Sequence, residues 1–249
     1  MGNKVLANAE KHKRLNRGQQ GSRKGMRAAH AALKKTLWWD IVRYKRRPAA
    51  LCSNDALSCY DRMVHNIVIM SMLSMGANIS SLTSMFSALQ NMKVKIRTSH
   101  GDSIEMYESG QPPDQGVAQG NGCGPQSYAS LSSPMMDAMD REGHGAIVIT
   151  PISRESSRIA MDAYVDDADQ SKDVESKDEN WTDVAAALNE AVRSWSGYLR
   201  ASGGALVPGK SFWYMVDFTW KDGKWKYSCL LYTSPSPRDL STSRMPSSA

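Results

Sequence analysis

The segment FWYMVDFTWKDGKWKYS, residues 212–228, constrains the fold more than any other stretch of this chain. Two aromatic, β-prone runs flank Asp222-Gly223, a dipeptide that accepts the positive φ angles a two-residue hairpin turn requires. Strands joined by two residues pair antiparallel, because parallel neighbours need a crossover of a dozen residues or more. The sheet that contains this hairpin is therefore expected to be largely antiparallel.

The remaining elements agree. From 24 to 47 the apolar positions Ala28, Leu33, Leu37, Trp38, Ile41, Val42 and Tyr44 recur at helical spacing until Pro48 stops the helix. The run AALCSND that follows reads as a buried strand whose end turns outward at Asp55. One helix carries Val64, Ile67, Val68, Met70 and Leu73 and stops at Gly76; another begins near Ser80. MKVKIRTSHGDSIEMY alternates around a turn at 99–102, a hairpin signal. After a Gly- and Pro-rich loop come a helix through Met135, Met136 and Met139 and strands near 146–150 and 158–165. The helix WTDVAAALNEAVRSWSGYLRASGG is expected to be capped by Thr182 and ended by Gly203 and Gly204. The order α, β, α, α, ββ, α, ββ, α, ββ lacks a regular βαβ repeat, so the predicted class is α+β with an antiparallel sheet. The fifteen methionines read as packing residues of these cores.

Charge is distributed unevenly. Residues 1–50 hold fourteen Lys or Arg against Glu10 and Asp40, a balance of +12, while the whole chain carries +6. That end is the nucleic-acid candidate, and a solvated helix face is the plainer alternative. No stretch of about 18 apolar residues is present to cross a bilayer. MGNKVLANAEKHK lacks the apolar core of a signal peptide, so a nuclear or cytoplasmic rather than secreted protein is expected. Cys52, Cys59, Cys123 and Cys229 form no Cys-x-x-Cys pair and suggest neither a zinc ribbon nor a disulfide framework. From 229 onward CLLYTSPSPRDLSTSRMPSSA turns Ser- and Pro-rich, is expected to be disordered, and resembles translated adaptor or vector sequence.

Asp166 and Asp167 stand side by side after the strand-like Ala163-Tyr164-Val165. Adjacent carboxylates raise each other's pKa unless a positive charge sits with them, and a divalent cation is the usual occupant. Hard oxygen ligands suit Mg²⁺, held by one or two carboxylates plus substrate phosphates. Ca²⁺ is the alternative, although DADQSKD lacks the glycine and glutamate of an EF-hand loop. Asp55, at the end of another expected strand, is the natural third ligand for two metals that serve a phosphoryl displacement. Taken singly, Asp55 could be a turn or cap residue and the Asp pair a surface loop.

Four segments in order, NDALSCYDRM, GVAQGNGCGPQS, AYVDDADQ and GGALVPGKSFWY, resemble the palm motifs of reverse transcriptases, and QQGSRKG resembles a segment of the non-LTR retrotransposon and group II intron enzymes. The resemblance covers about residues 19–227. It implies a polymerase palm with an antiparallel sheet backed by helices plus partial fingers: a basic finger-like segment over 1–50 and a palm over 51–228 with a finger hairpin at about 77–115. The implied activity is RNA-directed DNA polymerisation for a retroelement, with RNA template, DNA primer and dNTP as partners and two Mg²⁺, or Mn²⁺, as cofactors. No membrane partner is implied, and no protein partner is inferable.

Carried over by position, Asp55, Asp166 and Asp167 hold the metals and converge on one site. Tyr60 excludes a 2′-hydroxyl, Ala56 to Cys59 face the triphosphate, and Gln119 and Gly120 lie against the templating base and incoming nucleotide. Lys210 sits near the leaving group, and Arg23 and Lys24 approach nucleic acid or triphosphate. Plainer roles stay open: a core ring for Tyr60 and solvated cations for Lys210, Arg23 and Lys24. His65 is expected to be a satisfied helical histidine. The chain departs from the pattern at Ser22, where relatives carry Phe, and at Gly124, where they carry Ser. Finger strands upstream and a thumb downstream are not in the sequence, which suggests a truncated and inactive fragment. The alternatives are a non-catalytic nucleic-acid-binding remnant and a viral-type RNA-dependent RNA polymerase.

Overall fold

The computed structural model describes residues 2–107, 114–118, 120–150, 152–176 and 178–232. Seven helices and nine strands are defined among them. Five strands form the main sheet in the order β6-β7-β1-β8-β9, every neighbour antiparallel: β6 Asp162–Tyr164, β7 Asp167–Asp173, β1 Ala49–Asn54, β8 Phe212–Lys221 and β9 Lys224–Tyr232. The expected α+β class is the observed one. Asp222 and Gly223 both adopt positive φ, 57° and 72°, and close the β8–β9 hairpin as their residue types dictate.

β1 is the axis of the sheet, and its continuous apolar run has a physical reason: both faces are covered. Ala49 and Leu51 meet Trp38, Trp39 and Val42 of α2 (Ala28–Lys45). Ala50 and Cys52 meet Val184, Leu188 and Val192 of α7 (Trp181–Ala201), together with Trp213 and Met215 of β8. Trp39 also stacks on Tyr214 with ring centroids 5.0 Å apart. A larger core gathers α1 (Gly2–Lys11), α4 (His65–Ser74), α5 (Ile79–Gln90) and α6 (Gly124–Arg141) around Met72, Leu82, Met136 and Trp195. A four-residue helix, α3 (Cys59–Arg62), follows β1, and two short hairpins complete the set: β2 Arg97–Thr98 with β3 Gly101–Asp102, and β4 Ala146–Ile149 with β5 Ser156–Ile159.

Several expectations shift. α1 was not anticipated; it seats only Val5, Leu6 and Ala9 in the core, too narrow an apolar stripe to stand out. The strand expected at 158–165 is two strands, β5 and β6, and Val165 lies in a turn. β7 was hidden, because its buried positions are Ala168, Gln170 and Asp173. The cap of α7 is Asn180, whose side chain accepts from the Thr182 N–H while Asp183 accepts from the Asn180 N–H. β9 runs on to Tyr232, so residues 229–232 are strand rather than disordered tail; 233–249 lie outside the described residues.

Candidate active site

The sheet register explains how distant carboxylates meet. Asn54 of β1 pairs with Ala168 of β7, so one step further the ends of the strands bring Asp55 beside Asp167. Tyr164 pairs with Asp167, leaving Val165 and Asp166 as the two residues of the β6–β7 turn. Asp55 and Asp166, 111 positions apart in sequence, line one open pocket with Ala56, Cys59, Tyr60, Asp61 and Lys210.

The pocket walls are fixed by backbone bonds. The Val207 N–H donates to the Asp55 carbonyl at 2.9 Å, the Leu57 N–H to the Ala205 carbonyl at 2.8 Å, and the Asp55 N–H to Ser211 Oγ at 3.2 Å. The segment between α7 and β8 is thereby strapped over the end of β1, which carries Lys210 Nζ to 3.5 Å from the Asp55 carboxylate. Lys210 is 74% exposed, so this ion pair is loose and the ammonium is accessible to a ligand. Because the Leu57 amide is already bonded, the backbone from Ala56 to Cys59 offers a triphosphate fewer donors than expected.

Burial together with the Asp166 carboxylate pushes the Cys59 thiol up to about 12. Burial, with Cys59 and Asp166 beside it, also pushes Tyr60 up to about 12, so the phenol stays neutral. The Tyr60 ring lies against Gly124, where a β-carbon would stand 3.3 Å from the ring, and meets Tyr128 edge-on at 6.4 Å. Glycine at 124 leaves the ring its seat.

Asp167 sits alongside rather than inside. Its carboxyl is held above the usual range by burial first, then by Asp166 and Asp55. As a strand residue of β7 it shares a face with Asp169, which pairs with Lys35 of α2, whereas Asp166 in the turn points into the pocket. Among the described residues no three His, Cys, Asp or Glu side chains gather tightly enough to form a metal cage. The donor set present, Asp55 and Asp166 on one open pocket whose lining also includes Asp61, fits Mg²⁺ shared with substrate phosphates.

The other residues divide. Gly120 has φ of 90°, which suits glycine, and lies exposed in the loop that Val117 ties to the Tyr60 carbonyl. Gln119 lies outside the described residues. Arg23 is not brought to the site: it is 12% exposed, donates to the carbonyls of Asn16 and Gln19, and pairs with Glu10 at 2.6 Å. Lys24 is exposed beside it, on a separate cavity lined by α1. Lys34 and Lys45 pair with Asp162 and Asp173, so the fold itself uses part of the basic N-terminal excess. His65 is buried and satisfied, bonded to the Gly116 carbonyl and to Gln90.

No family model matches the chain, and no curated protein matches it. Solved structures do. Apo telomerase from Candida tropicalis, truncated from the C-terminal domain, superposes with a TM-score of 0.53 at 13% identity, covering 84% of this chain and 39% of that one. Telomerase from Candida tropicalis in complex with the TWJ fragment of telomeric RNA gives 0.53 at 12% identity over 84% and 32%. The corresponding Candida albicans complex gives 0.57 at 13% identity over 85% and 33%. This chain spans 32% to 39% of those chains, and the likeness is one of fold. No described helix is long and apolar enough to cross a membrane.

Proposed function

We propose that this chain is the palm, with part of the fingers, of a retroelement reverse transcriptase that transfers nucleotides from dNTP to a primer 3′-hydroxyl on an RNA template. One observation carries this: Asp55 from the end of β1 and Asp166 from the β6–β7 turn face one pocket with Tyr60 and Lys210, on a reverse-transcriptase-type fold. The motif order in the sequence supports the retroelement class.

Asp55 and Asp166 would hold Mg²⁺, which supplies activation of the attacking hydroxyl and neutralisation of phosphate charge. The exposed ammonium of Lys210, 3.5 Å from Asp55, is placed to donate toward a departing pyrophosphate once a triphosphate competes for it. The neutral Tyr60 ring, seated on Gly124, forms the wall against which a sugar would lie, and a 2′-hydroxyl would crowd it. The Cys59 thiol stays neutral beside the Asp166 carboxylate and brings no charge that would compete with a cation.

Primer extension on an RNA template with Mg²⁺ tests the proposal, wild type beside Asp166→Ala. Extension by wild type alone is the expected result; equal extension by both removes the catalytic reading. A non-catalytic nucleic-acid-binding role is the second reading, favoured by the +12 balance of residues 1–50. Salt-sensitive RNA binding with no extension, unchanged by Asp166→Ala, would favour it.

A further inference from the structure

Val165 occupies the first position of a two-residue hairpin turn with φ of 64°. That position normally takes Gly or Asn, and a β-branched residue there is held against its preference by something outside the turn. The holder is Gln19. Its side chain is fully buried, at 0% exposed, and its carboxamide is saturated. Oε1 accepts from the Val165 N–H at 3.1 Å and the Gly21 N–H at 2.9 Å; Nε2 donates to the Val165 carbonyl at 3.1 Å and to Ser132 Oγ of α6 at 2.9 Å. One amide thus grips both backbone groups of the strained residue and ties it to a helix.

The segment bearing Gln19 is itself pinned. The Gln20 N–H donates to the Ala163 carbonyl, the Ala163 N–H donates to the Gly18 carbonyl, and Arg23 donates to the carbonyls on either side of the loop. Asn16 Nδ2 anchors it to Asp137 and Asp140 of α6. A β-carbon at Gly21 would lie 2.2 Å from Val165 N, and one at Gly18 2.0 Å from the Met161 carbonyl oxygen, so close approach to the turn depends on both glycines.

We infer that Gln19 is a positioning residue: it clamps Val165 in the left-handed conformation and so aims the next side chain, Asp166, into the pocket with Asp55. The clamp itself is a geometric claim; its catalytic consequence rests on the polymerase reading above. If the clamp exists to hold a conformation costly for valine, glycine at 165 should make it dispensable.

The experiment compares wild type, Gln19→Met and Gln19→Met/Val165→Gly, with Mn²⁺ as the probe, bound and read by electron paramagnetic resonance. Gln19→Met is expected to weaken Mn²⁺ binding at least tenfold and, in primer extension, to lower kcat at least tenfold with KM for dNTP within about twofold. Val165→Gly in that background is expected to restore Mn²⁺ affinity to within about threefold of wild type. A folded Gln19→Met protein with unchanged affinity, or one that Val165→Gly leaves unrestored, would overturn the inference. Should Gln19→Met fail to fold, Gln19→Glu keeps both acceptors, loses both donors, and should bind Mn²⁺ with intermediate affinity; affinity equal to wild type would count against the clamp. Hydrogen exchange at the Val165 amide needs neither metal nor activity. It should be at least tenfold faster in Gln19→Met, or in Gln19→Glu by a smaller factor, and equal rates overturn the clamp. A wild type that shows slow Val165 exchange and binds Mn²⁺ without extending a primer would sink the polymerase reading and leave the clamp standing.

Discussion

Replacing Gln170 with Met should loosen the floor of the site by a calculable amount. Gln170 of β7 is buried at 1% exposure directly across from Cys52 of β1. Its Oε1 accepts from Asn54 Nδ2 at 3.3 Å and its Nε2 donates to the Ala191 carbonyl of α7 at 3.2 Å. Asn54, also buried, is the residue immediately before Asp55; its Nδ2 has one other contact, a long 3.5 Å to the Ala168 carbonyl, while its Oδ1 accepts from Cys52 Sγ at 3.5 Å. Methionine fills the same volume but leaves the Asn54 amide nearly orphaned. A buried unsatisfied donor costs about 1–3 kcal/mol. The Ala191 carbonyl lies inside α7, where the helical ladder provides a partner, so its loss adds little. With a Tm shift of about 2–4 °C per kcal/mol for a chain of this size, the expected drop is roughly 2–12 °C. Removing both polar ends, in Asn54→Leu/Gln170→Met, should cost less than the two single losses together, since neither side chain of the pair is left facing a vanished partner. Thermal and urea denaturation measure all four proteins. Additive losses, or a Gln170→Met protein as stable as wild type, would refute the reasoning.

Glu175 is held down to about 2 by the Arg158 guanidinium, bidentate at 2.7 and 3.0 Å, with Lys172 assisting. A depressed carboxylate contributes stability above its unfolded pKa and loses it as pH falls through the folded value. Glu175→Gln should therefore lower Tm by about 1–3 °C at pH 7, with the gap closing between about pH 4.3 and 2, as melting curves across that window will show. Tyr60→Ala should lower the preference for dNTP over rNTP in primer extension by about 10- to 200-fold, and unchanged selectivity would return Tyr60 to a packing role. Lys210→Met should reduce kcat about tenfold to a hundredfold while leaving Tm in place, because its ion pair with Asp55 is exposed; unchanged kcat would make it a solvated lysine.

Local chemistry made much of this architecture legible. Asp222-Gly223 announced the β8–β9 hairpin, the unbroken AALC run announced a strand covered on both faces, and the Asp residues at strand ends announced the pocket. Tertiary partners hid the rest. β7 reads as an acidic loop because Gln170 and Asp173 are buried through hydrogen bonds and an ion pair, which hydrophobic alternation does not register. Arg23 looked like a free cation, yet three partners, Glu10, Asn16 and Gln19, hold it. Gln19 stood at the head of the QQGSRKG segment, but its role as a clamp did not show there; the clue in the sequence was the spacing of Gly18 and Gly21 around it, which marks a backbone that must come close to something. Asp167 adjoins Asp166 in sequence, yet as the first residue of β7 it is not among the residues that line the pocket.

The central claim is that Asp55 and Asp166 jointly bind a divalent cation with a nucleotide. Crystals grown with Mn²⁺ and a dNTP would locate the metal by anomalous scattering. The account predicts a peak at about 2.0–2.2 Å from carboxylate oxygens of both Asp55 and Asp166, with nucleotide phosphates completing the sphere. A peak bound elsewhere, or one that touches neither carboxylate, would contradict it.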